Sequence, residues 1–276
     1  LFAHSAIDRM PDEFLRSIGN VFITFDVATQ DSGNVSYGVE VDGARYFVKT
    51  AGAPDDAVPF LTHGQRVDLL RNAERFARTF FHPTLPKFHG VIESAHGPML
   101  VYEWRDGELL RVPAERRDDP TSSFLRFRAL SVDDLCRSLD AIYDLHASVA
   151  RAGWIAVDFY DGALIYEFET SRLTVVDLDN YRDAPFRNDM GRMFGSSRFM
   201  APEEFERGAL IDEVTNVFTM GRTALVFLSD GTLQRPAFRG SSAQFAVVAK
   251  ACSPARDDRF ASMADFHSDW IRARAD

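Results

Sequence analysis

A chain of 276 residues, 46% hydrophobic and 26% charged, has an ordinary globular composition and enough apolar surface for a sizeable core. Its net charge of −10, from 31 Lys and Arg against 41 Asp and Glu, argues against non-specific nucleic-acid or anionic-membrane binding. No apolar run approaches the ~18 residues of a membrane span and no basic-then-apolar segment opens the chain, so neither nucleic acid nor membrane is an expected partner and the expected compartment is the cytoplasm.

The first third carries strand signals. Residues 21–25 form a β-branched and aromatic run, and residues 35–41 follow a turn around Asp31-Ser32-Gly33. Asp42-Gly43 is a two-residue hairpin signal that leads into a strand over 45–49. A Gly/Pro/Asp loop over 51–59 precedes a helix expected over 65–80, with Val67, Leu70, Phe76 and Phe80 near one face. His82-Pro83 stops it, and two more strands are expected over 87–93 and 99–104. Residues 111–123 read as a charged loop. Ser131-Val132-Asp133-Asp134 looks like a capping box, opening a helix with Leu135, Leu139, Ile142, Tyr143 and Val149 at helical spacing. Two short strands follow, and after Pro202 the chain reads as helices, including 215–228 and 241–251. Cys136 and Cys252 lie in helical-looking stretches, as buried free thiols rather than a disulfide. Strands first and helices later predict an α+β protein.

The two short strands, 164–168 and 173–176, are flanked by Asp158 and Asp177. A hairpin brings two such carboxylates to one end of a sheet, where the fold holds each in place. A pair of this kind suits a general base beside a metal ligand, the combination that phosphoryl transfer from a nucleotide uses.

From here the order of motifs resembles the protein-kinase superfamily over nearly the whole chain, in the manner of bacterial, eukaryotic-like Ser/Thr kinases with a divergent catalytic loop. Phe47-Val48-Lys49 is similar to the V-A-I-K strand, and Glu74 lies on the next helix, before His82-Pro83-Thr84-Leu85, which looks like H-P-N-I. Leu100-Val101-Tyr102-Glu103-Trp104 resembles the hinge, and Asp177-Leu178-Asp179 stands for D-F-G. Gly195-Ser196-Ser197-Arg198-Phe199-Met200-Ala201-Pro202-Glu203 is close to G-T-x-x-Y-M-A-P-E. The resemblance implies a bilobal fold, with a β-rich lobe over 1–104 and a mainly helical lobe over 105–276.

It also implies roles. Lys49 would hold ATP phosphates and pair with Glu74, with Asp68 as the other candidate. The loop over residues 31–36 would cover the phosphates with Gly33 and, in a later glycine's place, Ser36. Glu103 and Arg105 would meet the adenine edge through their backbones. Phe47, in the usual alanine position, would either stack on the base or crowd it, and Ile165 would line the site. Asp158 would orient a hydroxyl and take its proton. Asp177 would bind Mg²⁺ or Mn²⁺, and Glu203 would pair with Arg259.

The chain also departs from the family in the second half. Ala156-Val157 replaces the His-Arg before the catalytic aspartate, so control through that arginine is not expected. Tyr160 replaces a lysine that neutralises the transferring phosphoryl group. Ala163 replaces the asparagine that holds a second metal, leaving Asp161, Asp179 or Asn180 to complete the site. Asn216 replaces an aspartate that opens the buried helix. Three functions therefore stand open: a phosphotransferase acting on a protein hydroxyl, one acting on a small-molecule hydroxyl, as aminoglycoside-type kinases do, and a pseudokinase that binds nucleotide without turnover.

Overall fold

The computed structural model describes residues 4–26, 33–55 and 61–275. Asp31 and Ser32 of the expected phosphate-covering loop, and positions 56–59 of the expected 51–59 loop, lie outside them. The chain is a mixed α+β protein that divides into two compact units, Leu1–Arg105 and Asp106–Asp276.

The first unit is a five-stranded antiparallel sheet with a helix on each face. Its helices are α1 (Pro11–Ile18) and α2 (His63–Thr79). Its strands are β1 (Asn20–Phe25), β2 (Val35–Val41), β3 (Ala44–Thr50), β4 (Phe88–Ser94) and β5 (Gly97–Glu103), in the order β1-β2-β3-β5-β4. Side chains alternate across a pleated strand. Met99 and Val101 accordingly join Phe14 and Leu15 of α1 in one cluster, while Leu100 between them joins Leu70 and Ala73 of α2. α1 was not expected from the sequence, although Pro11 in its first turn with Asp12 and Glu13 is a helix-start pattern. α2 opens on a reciprocal capping box between Thr62 and Gln65.

The second unit is helical around one buried helix. Its helices are α3 (Ser123–Arg128), α4 (Val132–Arg151), α5 (Glu213–Leu228), α6 (Ser242–Ala251) and α7 (Met263–Ala275). α5 buries side chains on every face and packs against the other four, as an all-round apolar helix must. A Cβ at Gly221 would stand 2.7 Å from the sulfur of Cys252, so glycine there permits the close approach of α6. Cys136 and Cys252 are both free and buried, and burial pushes the Cys252 thiol up to about 12. None of the described helices is long and apolar enough to cross a membrane.

Small ribbons complete this unit: β6 (Glu108–Leu109), β7 (Trp154–Ile155), β8 (Leu164–Glu167), β9 (Arg172–Val175), β10 (Arg182–Asp183), β11 (Phe186–Arg187) and β12 (Leu210–Ile211). β6, β8 and β9 form one antiparallel sheet, β7 pairs with β10, and β11 pairs with β12. The β8–β9 hairpin sits between Asp158 and Asp177, with Leu164 opposite Val175 and Glu167 opposite Arg172.

Candidate functional site

In the second unit the two aspartates flanking the hairpin share an uncommon backbone. Asp158 has φ +65° and Asp177 φ +61°, in the left-handed region that non-glycine residues enter at a cost of order 1 kcal/mol or more. Strain of this kind persists where the surroundings dictate it. At residues 156–161 they do so residue by residue. Ala156 is held through both its amide and its carbonyl by Asn216 of α5, at 2.8 and 2.7 Å. Phe159 packs edge-on against His146, whose ring nitrogens meet the Ile142 carbonyl and the Tyr181 hydroxyl. The Asp161 carboxylate takes a bond from the Arg198 guanidinium.

Asp158 Oδ2 accepts a hydrogen bond from Asn180 Nδ2 at 3.2 Å. Burial, reinforced by the negative charge of Asp177 and more weakly by Asp179, pushes the Asp158 carboxyl up to about 7; Asn180 and Arg111 oppose the rise. Burial raises Tyr160 to about 12, with Asp158 adding to the rise and Arg111 again opposing it. Glu204 is a second carboxyl near neutrality. Burial lifts it to about 7, its bond from the Ala201 amide opposes, and the charges of Glu203 and Asp158 add to the rise.

Asp177 is exposed, whereas Asp179 and Asp161 are buried. Among the described residues no three His, Cys, Asp or Glu side chains converge as a metal site. The residues present fit one divalent cation, because Asp177 offers an exposed carboxylate where neighbouring negative charge already raises Asp158. A second finds fewer donors, with one Asp161 oxygen buried and without a hydrogen-bond partner and Asp179 and Asn180 as the other oxygens near Asp158. Ala163 has no side-chain oxygen to offer, and Arg198 engages one of the two Asp161 oxygens. A hard cation held by one or two carboxylates completes its shell with water and phosphate oxygens.

The first unit places the other expected residues. Lys49 stands nearly buried on β3, opposite Ser36 on β2 and Leu100 on β5. Val48 belongs to the α1-side cluster, so alternation turns Lys49 to the α2 face. Glu74 lies on that helix, yet its two oxygens receive Arg78 at 2.8 Å and Arg71 at 2.9 Å. Asp68 is exposed. Gly33 has φ +77°, a conformation suited to glycine. Phe47 lies between Gly38 and Tyr102 in register and near the Phe25 ring. The Glu103 amide donates to the Lys87 carbonyl, and its carboxylate pairs with Arg105. Ile165, back in the second unit, lies half-buried on β8 opposite Leu109 and Thr174.

No protein-family model matches the chain, and no curated protein matches it either. The likeness to protein kinases therefore rests on the residues and their order. Within each unit, Asp158 stands near Asp177, Asp179 and Asn180 in the second and Lys49 lies opposite Ser36 in the first, while Glu74 is taken up by Arg71 and Arg78. The sequence reading did not include Arg111, Arg198 or Glu204 as members of the acidic site. It also did not find Arg66, a buried cation on α2 whose guanidinium donates to the carbonyls of Ala51, Ala53 and Leu61. Arginine at an otherwise apolar helix position was the only available signal for it.

Proposed function

We propose that the chain is an ATP-dependent phosphotransferase that moves the γ-phosphoryl group to a hydroxyl, with Asp158 as the general base. The observation that carries this reading is Asp158 itself: a carboxyl raised to about 7, fixed by Asn180 and flanked by the exposed carboxylate of Asp177. A base works best when its pKa lies near the working pH. Asp158 takes the acceptor's proton as the acceptor oxygen bonds to the γ-phosphorus, and ADP departs with the electron pair of the broken P–O bond. ATP supplies the phosphoryl group, and Asp177 would hold a magnesium ion, which would supply positive charge for the phosphates. Lys49 on β3, in the strand that resembles V-A-I-K, is the proposed cation for the nucleotide phosphates.

Ala163 favours a second reading, a nucleotide-binding module without turnover, because it removes the oxygen that likeness to kinases expects at one of the two metal positions. Two measurements separate the readings. Nucleotide with Mg²⁺ should raise the melting temperature by mass action, and labelled γ-phosphate should appear on an acceptor from a panel of proteins and hydroxylated metabolites. Binding without transfer selects the module. No shift at millimolar nucleotide removes both readings.

A further inference from the structure

The acidic site has a cation that comes from elsewhere in the chain. β6 pairs with β8, with Leu109 opposite Ile165, and the Leu110 amide continues the ladder to the Leu164 carbonyl at 2.9 Å. Leu110 and Val112 are buried on either side while Arg111 is exposed, so the backbone is anchored and the side chain turns outward. Its guanidinium carbon lies 5.8 Å from the centre of the Tyr160 ring, within cation–π range. That ring is seated in turn by Gly162. A Cβ at position 162 would stand 2.4 Å from the ring, closer than any atom tolerates. Gly162, Tyr160 and Arg111 thus form a stack beside Asp158.

We propose that Arg111, seated on Tyr160, supplies the positive charge that the transferring phosphoryl group meets beside Asp158. The proposal rests on the phosphotransferase reading. The chemistry requires such a group, because the phosphoryl oxygens pass through a site populated by Asp158, Asp177, Asp179, Asp161 and, further back, Glu204. One oxygen of Asp161 already meets Arg198. Arg111 is the basic side chain whose charge acts on both Asp158 and Tyr160. A planar guanidinium is also suited to phosphate oxygens, which it can meet through two parallel hydrogen bonds. Tyr160 is then a platform that aims the arginine.

The test is a set of variants read by kinetics and by binding. Arg111→Gln should lower kcat by roughly 100-fold, the scale for losing one donor to a transition state, with little change in KM for ATP. Adding Tyr160→Lys to Arg111→Gln should restore most of the lost rate, because it returns a cation to the same place from the neighbouring residue. Gly162→Ala should displace the ring and lower kcat in the same way. Independently of turnover, Arg111→Gln should weaken binding of ADP with magnesium and aluminium fluoride while leaving ADP with magnesium unchanged, since only the former mimics the phosphoryl in flight. Equal binding of the fluoride complex by wild type and Arg111→Gln overturns the role of Arg111, as does no rescue by Tyr160→Lys. A wild-type chain that binds no ADP overturns the phosphotransferase reading itself, and Arg111's role with it.

Discussion

Asn216 holds Ala156 by both of its backbone polar groups, accepting from the amide at 2.8 Å and donating to the carbonyl at 2.7 Å. Both residues are buried. An aspartate, the residue expected at this position by likeness to kinases, accepts but cannot donate while ionised. The asparagine is therefore matched to a loop that presents one donor and one acceptor. Asn216→Ala leaves two buried backbone groups unpaired and should cost about 2 kcal/mol or more in urea unfolding. Asn216→Asp should keep the amide bond but set a carboxylate oxygen against the carbonyl. Its cost should be small at pH 5, where protonation restores the donor, and larger at pH 8. Equal costs at the two values would show that the carbonyl contact contributes nothing.

The two carboxyls near Gly195, Asp158 and Glu204, act on stability in the direction opposite to a salt-bridged acid. Each is raised, from 3.8 and 4.5 respectively, to about 7, chiefly by burial. The folded chain thus holds protons that the unfolded chain has released between pH 4 and 7, so stability falls as pH rises through that window. Asp158→Asn removes a charge that the fold tolerates poorly. It should abolish phosphoryl transfer and raise the melting temperature at pH 8, with no gain at pH 4. Glu204→Gln should show the same pH pattern of stability. Wild-type transfer should rise with pH through about 7 as Asp158 ionises. A melting temperature for Asp158→Asn that tracks wild type at every pH sinks this account.

The Glu203–Arg259 pair expected from the sequence is present, with bonds of 2.7 and 3.0 Å, and Arg256 joins it at 2.6 Å while also holding Asp212. Glu203 and Arg259 are both buried. Burial works against the Glu203 charge, but the Arg259 bonds outweigh it and hold the carboxyl below its ordinary value. Its contribution is present above the ordinary carboxylate range and is lost as pH falls through the lowered value. Arg259→Ala strands a buried carboxylate and should cost about 3–5 kcal/mol. Arg256→Ala, which removes a partly exposed partner, should cost less. Chemical denaturation at pH 7 measures both, and a cost for Arg259→Ala below that for Arg256→Ala would reverse the assignment of which arginine matters.

What could be read in the sequence follows the range of the interaction concerned. The β2–β3 hairpin was legible because Asp42 and Gly43, at φ +52° and +77°, form the two-residue turn that right-twisted strands require. Ser131 was legible as a cap because its partner, the Asp134 amide, is three residues away. The β8–β9 hairpin was legible from two short apolar runs and a polar turn. The ribbons β7, β10, β11 and β12 were not, since two residues show no alternation and only tertiary contacts pair them. Arg111 was hidden for the same reason. Arg111-Val112-Pro113 reads locally as a loop, and the ring it covers lies far along the chain. Glu74 is a different case. Its helix was legible, but the arginines on its own face and Glu93 on β4 compete for partners in ways that spacing alone does not rank.

That competition gives the last prediction. Glu74 is held by Arg71 at 2.9 Å and Arg78 at 2.8 Å, and Arg71 also makes two bonds of 2.7 Å to Glu93. The Glu93 carboxyl is lowered, first by its bond from Arg71. Both arginines are largely exposed, and exposed pairs of this kind contribute roughly 0.2–1 kcal/mol each and weaken with salt. Freeing Glu74 is therefore cheap, and Lys49 stands on the sheet face toward its helix. The double variant Arg71→Ala, Arg78→Ala should unfold within about 2 kcal/mol of wild type. If Glu74 is the partner of Lys49 when nucleotide binds, the double variant should bind ATP more tightly, and Glu74→Gln in that background should cancel the gain. Raising salt should tighten wild-type binding relative to the double variant, because screening loosens the same arginines. Unchanged ATP affinity in the double variant, alongside loss of binding in Lys49→Met, would assign Glu74 to the helix surface alone.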